Sequence, residues 1–431
     1  MTDPASLTAA EAAARIAAGR LAPAELLEAC LVRAACLEPV VKAFAHLDPG
    51  QARAALATLR PGPLHGLPVA VKDMIDTADM PTQHNSPIYQ GHRPARDGAV
   101  VTIARETGAL ILGKTDTHEF AAGGRLPATT NPHDAAHTPG GSSSGSAAAV
   151  AAGMAPLAFG TQTAGSMLRP ASFCGIFGMK PTFGTVSREG AKHYAISLDT
   201  IGWYGRSVPD LGLMARALRA IRRPLAYAES VAGRRVGLYR TPGCESAEPE
   251  ARAAVDAAAA RLADAGAEIV PLVLPGEFDD LAAVQNTIMR GEGRAAFLDD
   301  YLAHFDLLAQ DFRDRVEDAD GISFDDLRAA HDHAARCRPL FEAEIAGLDA
   351  VLAIGAPGEA PRALDTTGDS HFQRMWTVLH VPALALPGFT GARGLPVGVQ
   401  LIGPRHGDAA LLELGHAVAQ ALGRPRVDPV P

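Results

Sequence analysis

Between Pro139 and Gly184 the chain changes character twice, in a way that few folds can accommodate. Pro139-Gly-Gly-Ser142-Ser-Ser-Gly-Ser opens the stretch, and an apolar, helix-like run from Ala147 to Phe159 follows. A second Gly/Ser turn, Gly160-Thr-Gln-Thr-Ala-Gly-Ser166, then leads through Met167-Leu-Arg169-Pro to Gly178-Met-Lys-Pro-Thr-Phe-Gly184. A flexible Gly/Ser linker stays polar throughout. This segment returns to apolar residues, so its turns have to be packed against a core. Glycine leaves backbone amides open to close approach, which is what a site that stabilises an oxyanion requires.

Around this segment helical and strand periods alternate. Thr8-Ala-Ala-Glu11 has capping-box spacing, Pro23 suits the first turn of a second helix reaching about Cys36, and Asp48-Pro49 opens a third. Leu67-Pro-Val-Ala-Val-Lys72-Asp reads as a short strand, Asp97 as the cap of a helix to about Thr107, and Ala109-Leu-Ile-Leu112 as an apolar strand. Further strands are expected at Arg234 to Tyr239, Glu268 to Val273, Ala350 to Ile354, Ala383 to Pro387 and Val397 to Ile402. Helices are expected from Glu248 to Ala265 and from Asp408 to Ala421. The charged stretch 277–346 is helical in pattern and is expected to shape a pocket. This alternation predicts an α/β fold with a substantially parallel sheet. With no repeat and no convincing linker, one domain over 1–431 is expected: N-terminal helices to about 60, a core to about 210, and final strands and a helix over about 350–425.

Composition narrows the function. The chain has 431 residues, 47% hydrophobic and 20% charged, with a net charge of −9 and no long Lys/Arg run. Nucleic acid and anionic membranes are therefore not expected as primary partners. The N-terminus lacks a basic and an apolar region, and no apolar stretch is long enough to span a bilayer, so a cytoplasmic location is expected. Five dispersed cysteines without a CxxC pair argue against a disulfide framework.

Three short patterns point elsewhere and carry little weight. Gly108-Ala-Leu-Ile-Leu-Gly113-Lys114-Thr115 matches a P-loop, yet its four central residues are strand formers where a phosphate cradle needs a turn. Gly141-Ser-Ser143-Ser-Gly145 matches a nucleophile elbow, but loop precedes it where an elbow needs a strand; His371 and His380 are then candidate partners. His133/His137 and His331/His333 lack the spacing of a zinc motif and read as ordinary histidines.

Lys72 is more informative. Val69-Ala-Val-Lys72 places a lysine at the end of an apolar strand. The ordinary reading is a lysine whose stem is covered and whose amine reaches water. A buried amine instead loses its proton more easily, and holding lysine neutral at pH 7 costs about 4–5 kcal/mol, within reach of burial. A neutral amine is a competent base. Two serine-bearing turns and such a lysine supply nucleophile, shuttle and base without histidine.

With these residues the chain resembles the amidase signature family of Ser–cis-Ser–Lys hydrolases. The resemblance extends through Leu64-His-Gly-Leu-Pro-Val-Ala-Val-Lys72-Asp, Gly113-Lys-Thr-Asp-Thr-His-Glu-Phe120, Thr130-Asn-Pro132, Asp199-Thr-Ile-Gly202 and Gly394-Leu-Pro-Val-Gly-Val-Gln-Leu-Ile-Gly403. It implies Ser166 as nucleophile, Ser142 as bridging serine after a cis peptide, and Lys72 as neutral base. It implies an oxyanion hole from the amides of Thr163, Ala164, Gly165 and Ser166, with Ser143 and Thr161 in support and Gly141 beside the substrate. It also implies a central mixed, largely parallel β-sheet covered by helices on both faces, with no metal or organic cofactor.

Two details depart from the commoner pattern: Gln162 stands where many members have an acid, and Ala164 replaces a glycine. Arg169 follows the nucleophile by three residues, a form similar to malonamidase-type members, which implies that Arg169 grips a substrate carboxylate. The competing expectation is that Arg169 pairs with Asp199 or Glu292 and braces the turn. Amide hydrolysis through an acyl-serine follows, on a small amide such as a dicarboxylate monoamide (malonamate). The alternative is the amide-hydrolysing subunit of a tRNA-dependent amidotransferase, usually longer at its C-terminus. A small-molecule amide is the expected partner, with a homo-oligomer left open.

Overall fold

In the computed structural model, which describes residues 3–423, eleven strands join in one sheet. In chain order they are β1 (Phe44–His46), β2 (Pro68–Lys72), β3 (Leu110–Thr115), β4 (Leu157–Gln162), β5 (Phe177–Lys180), β6 (Thr200–Gly205), β7 (Arg235–Tyr239), β8 (Glu268–Leu272), β9 (Ala350–Ile354), β10 (Ala383–Thr390) and β11 (Pro396–Ile402). Their order across the sheet is β1-β3-β2-β4-β6-β5-β10-β11-β9-β7-β8. The sheet is mixed, as expected. Parallel ladders join β3, β2 and β4 in one wing and β9, β7 and β8 in the other. Antiparallel ladders run through the centre, from β4 to β9. Expected positions among the first two and last eight residues lie outside the described part.

Side-chain alternation divides the core between the two faces of the sheet. Val69 and Val71 of β2 join one apolar cluster with Phe159 and Trp203, whereas Ala70 joins another with Ala147 and Val150. The strand period puts Lys72 on the face of Ala70, towards the helix Ser144–Ala151. That helix lies close to the sheet because it carries Gly145. A Cβ there would overlap Ala43 O and come within 2.5 Å of Asp116 N.

The apolar run from Ala147 to Phe159 is not one helix. It divides into the end of Ser144–Ala151 and the start of β4, because Gly153 takes a positive φ of 74° and Pro156 cannot continue a helix. Asp97 is also not a helix cap. Gly98 holds that place in the helix Ala99–Glu106, and the Asp97 carboxylate accepts from Ala78 N and Arg105 instead. The Thr8–Glu11 capping box forms as read, and 277–346 contains the helices Leu281–Ala296, Leu298–His304, Gln310–Val316 and Phe324–Glu344.

Candidate active site

Strand ends and turns on one side of the sheet bring the expected residues together. Lys72 closes β2 with no exposed surface, and Ser142 and Ser166 are nearly as buried. The Lys72 amine donates to Ser142 Oγ and to Thr161 Oγ1, each at 2.7 Å. Burial pushes its pKa well below the usual lysine value; Asp199 pulls the other way and the Arg169 charge adds to the fall. Neither close partner is a carboxylate. Asp73, the next residue, faces Lys114, whose Nζ lies 3.1 Å from its carboxylate.

The peptide between Gly141 and Ser142 is cis. The Ser142 carbonyl accepts from Thr117 Oγ1 at 3.0 Å and from His118 N at 3.3 Å, so the Gly113–Phe120 segment holds this turn in place. Ser143 N donates to Ser166 O at 3.2 Å, which ties the two serine turns together. Ser143 Oγ bonds the backbone of Thr161 in both directions, at 3.1 and 3.2 Å. With no strand before it and no histidine partner among the described residues, Ser143 does not form an elbow. His371 and His380 instead bond Pro242 O and Ser197 O.

Ser166 lies in the turn between β4 and the helix Leu168–Cys174. The amides of Thr163, Ala164, Gly165 and Ser166 donate to no acceptor among the described residues, which leaves four N–H groups in succession free for a ligand oxygen. The carbonyls of the same turn are tied down, by Gln285 Nε2 to Thr163 O at 2.8 Å and by Thr377 Oγ1 to Ala164 O at 2.7 Å. Ser166 Oγ makes no hydrogen bond among the described residues, so its link to Ser142 Oγ is not closed in this structure.

Gln162 has a clear part. Its Oε1 accepts from Met167 N and Leu168 N at the helix start, and its Nε2 donates to Thr377 Oγ1. A neutral amide here satisfies two free helix-end donors and reaches across to a second helix.

Arg169 pairs with neither Asp199 nor Glu292. Its Nη2 donates to Gly141 O and, at 3.2 Å, to Thr367 Oγ1, while Nε is buried with no hydrogen-bond partner among the described residues. Asp199 is taken by Thr163 Oγ1 and Tyr194 N, and Glu292 by Ser197 N and His331. Burial lowers the guanidinium pKa to about 10, so it stays charged at neutral pH.

The remaining patterns dissolve in the fold. β3 runs through Gly113-Lys114-Thr115, so no phosphate-binding turn exists there. His133 bonds Cys174 O and His137 faces Asp134; His331 faces Glu292 and His333 bonds Glu277 O, each a separate local contact. Among supporting residues, Thr117 and Asp199 lie within the motif stretches, whereas Gln285, Thr377 and Tyr204, whose OH donates to Met167 O at 3.0 Å, carried no signal in sequence.

A family model described as Amidase matches residues 25–412, nearly all of the chain. The chain belongs to the amidase family. The chain is thus an amide hydrolase acting on C–N bonds. It is 35% identical to a glutamyl-tRNA(Gln) amidotransferase subunit of Chloroflexus aurantiacus, with 97% of each chain covered. Among solved structures, an amidase crystal structure superposes with a TM-score of 0.87 at 31% identity, covering 97% of this chain and all of that one. The peptide amidase of Stenotrophomonas maltophilia superposes with a TM-score of 0.80 at 30% identity, covering 98% and 99%. No helix among the described residues is long and apolar enough to cross a membrane.

Proposed function

We propose that the chain cleaves a primary carboxylic amide through an acyl-Ser166 intermediate and releases ammonia. The observation that carries this reading is the buried Lys72 amine, 2.7 Å from Ser142 Oγ and partnered by hydroxyls. A neutral Lys72 takes the Ser142 proton as Ser142 takes that of Ser166, and Ser166 Oγ attacks the carbonyl carbon. The amides of residues 163–166 receive the developing oxyanion. Ser142 returns a proton to the departing nitrogen, the C–N bond breaks, and water then releases the acid from Ser166.

Of the two settings for this chemistry, the amide-hydrolysing component of a tRNA-dependent amidotransferase is the better supported, because curated relatives matched over nearly their whole length are named as glutamyl-tRNA(Gln) amidotransferase subunits. A cytoplasmic location and a partner protein go with it. The second reading is a free-standing hydrolase of small amides, monoamides of dicarboxylic acids included. It is supported by the likeness to solved amidases.

Ammonia release from glutamine, malonamate and acetamide tests both, with the purified chain alone and after co-expression with candidate partner proteins and tRNA. The first reading expects glutamine turnover that rises with the partners. The second expects full turnover of a small amide by the chain alone. Ser166→Ala is inactive under either.

A further inference from the structure

Three carbonyls of the proposed oxyanion turn are each held by a donor. Thr163 O accepts from Gln285 Nε2 at 2.8 Å, Ala164 O from Thr377 Oγ1 at 2.7 Å, and Gly165 O from Arg169 N at 3.1 Å. A peptide is planar and here trans, so its C=O and the N–H of the next residue point in opposite directions. Holding Ala164 O therefore aims the Gly165 N–H away from Thr377, to the side where that N–H has no acceptor among the described residues. The helix His371–Val378, which carries Thr377, lies directly on the turn. A Cβ on Gly165 would come within 2.6 Å of Gln373 Oε1 and 2.9 Å of Ser370 Cβ.

A carboxamide nitrogen and a backbone amide can only donate, whereas a hydroxyl donates or accepts. The single Thr377 hydroxyl proton has two carbonyls in reach, Ala164 O at 2.7 Å and Gln373 O at 3.3 Å. What Thr377 receives decides what it can give. Gln162 Oε1 accepts from Met167 N and Leu168 N at 3.0 and 3.1 Å, and those amides cannot accept, so the NH2 group is the other end of that side chain. Its Nε2 donates to Thr377 Oγ1 at 2.9 Å, which leaves the hydroxyl proton for Ala164 O. Both side chains are buried, so water does not compete for these bonds. An ionised carboxylate in place of the Gln162 amide could only accept. It would take the Thr377 proton and leave Ala164 O without its donor.

We infer that Gln162 and Thr377 are positioning residues for the amide hydrolysis proposed above: the one-way relay from Gln162 Nε2 through Thr377 Oγ1 to Ala164 O aims the Gly165 N–H at the oxygen of the scissile carbonyl. The inference rests on that reading and assigns the two side chains that set the direction of this donor. Because the N–H is held before substrate arrives, no reorientation has to accompany the growth of charge on the oxygen. The effect accordingly falls on kcat rather than on KM.

The test measures kcat and KM for whichever of glutamine, malonamate and acetamide the wild type turns over, with thermal melting of every variant. Thr377→Val keeps the shape and removes the donor, and Gln162→Glu reverses the relay. Each should lower kcat about 10- to 100-fold, less than the loss of a whole oxyanion donor, with KM unchanged within about twofold. Thr377→Ser, which keeps a hydroxyl, should recover most of that loss. Gln162→Glu combined with Thr377→Val should be no slower than the slower single variant, because both break one chain of bonds. Where Thr377→Val does not fold, Thr377→Ala replaces it. Folded variants with the wild-type kcat, a loss carried by KM, additive losses in the double variant, or Thr377→Ser as slow as Thr377→Val would each overturn the relay while amide hydrolysis stands. A wild type that cleaves no amide, or Ser166→Ala as active as the wild type, removes the underlying reading and the relay with it.

Discussion

Lys72 Nζ lies 2.7 Å from Ser142 Oγ, and the carboxylate that follows Lys72 in sequence is turned away to Lys114. Lys72 ends β2 and Asp73 lies in the turn that follows, where it meets Lys114, which stands opposite Val71 in the sheet and so on the other face from Lys72. The lysine therefore meets two hydroxyls at a fully buried position, where its charged form is disfavoured.

The first prediction concerns pH. With its pKa driven far down by burial, the Lys72 amine becomes the free base as pH rises through that lowered value. The value of kcat/KM should fall as pH drops below it, because the protonated amine cannot take the Ser142 proton. Lys72→Met should lose about 100- to 10,000-fold in kcat while remaining folded. A wild-type profile that stays flat down to about pH 4 would remove Lys72 as the base.

Covalent trapping tests the nucleophile. A fluorophosphonate should label Ser166, and peptide mapping should place the adduct in the turn after β4. On the proposed mechanism Ser166, Ser142 and Lys72 act as one unit, so Ser142→Ala combined with Ser166→Ala should be no slower than Ser166→Ala alone. Label retained in Ser166→Ala would assign the nucleophile elsewhere.

Arg169 braces the turn before Ser142 through Gly141 O and Thr367 Oγ1. Arg169→Met should therefore slow acetamide and malonamate hydrolysis alike and lower the melting temperature, consistent with loss of about 1.5–3 kcal/mol of charged hydrogen bonding. A loss confined to malonamate, with melting unchanged, would instead support a carboxylate grip.

The Asp73–Lys114 pair is buried at both ends, and removing Lys114 leaves the Asp73 carboxylate buried without an opposite charge beside it, held by the neutral donor Gln83 N. Lys114→Met should destabilise the fold by about 3–5 kcal/mol, read from the midpoint of urea unfolding. A midpoint equal to that of the wild type would show that the pair contributes nothing to stability.

The order of chemistry along the chain was legible from sequence alone. A lysine ending an apolar strand, a Gly/Ser turn and a second such turn 24 residues later are local features, because glycine, serine and strand periodicity act over a few residues. The same holds for β2, β7, β9 and the Thr8–Glu11 cap. Tertiary structure decided the rest. The short strands β1 and β5 are strands because neighbours in the sheet pair with them, and their few residues carry weak periodicity. The partner of Arg169 is a backbone carbonyl 28 residues away, and Gln285 reaches Thr163 across 122 residues. No local pattern encodes such contacts, because buried polar atoms take whatever partner the folded chain brings within about 3 Å.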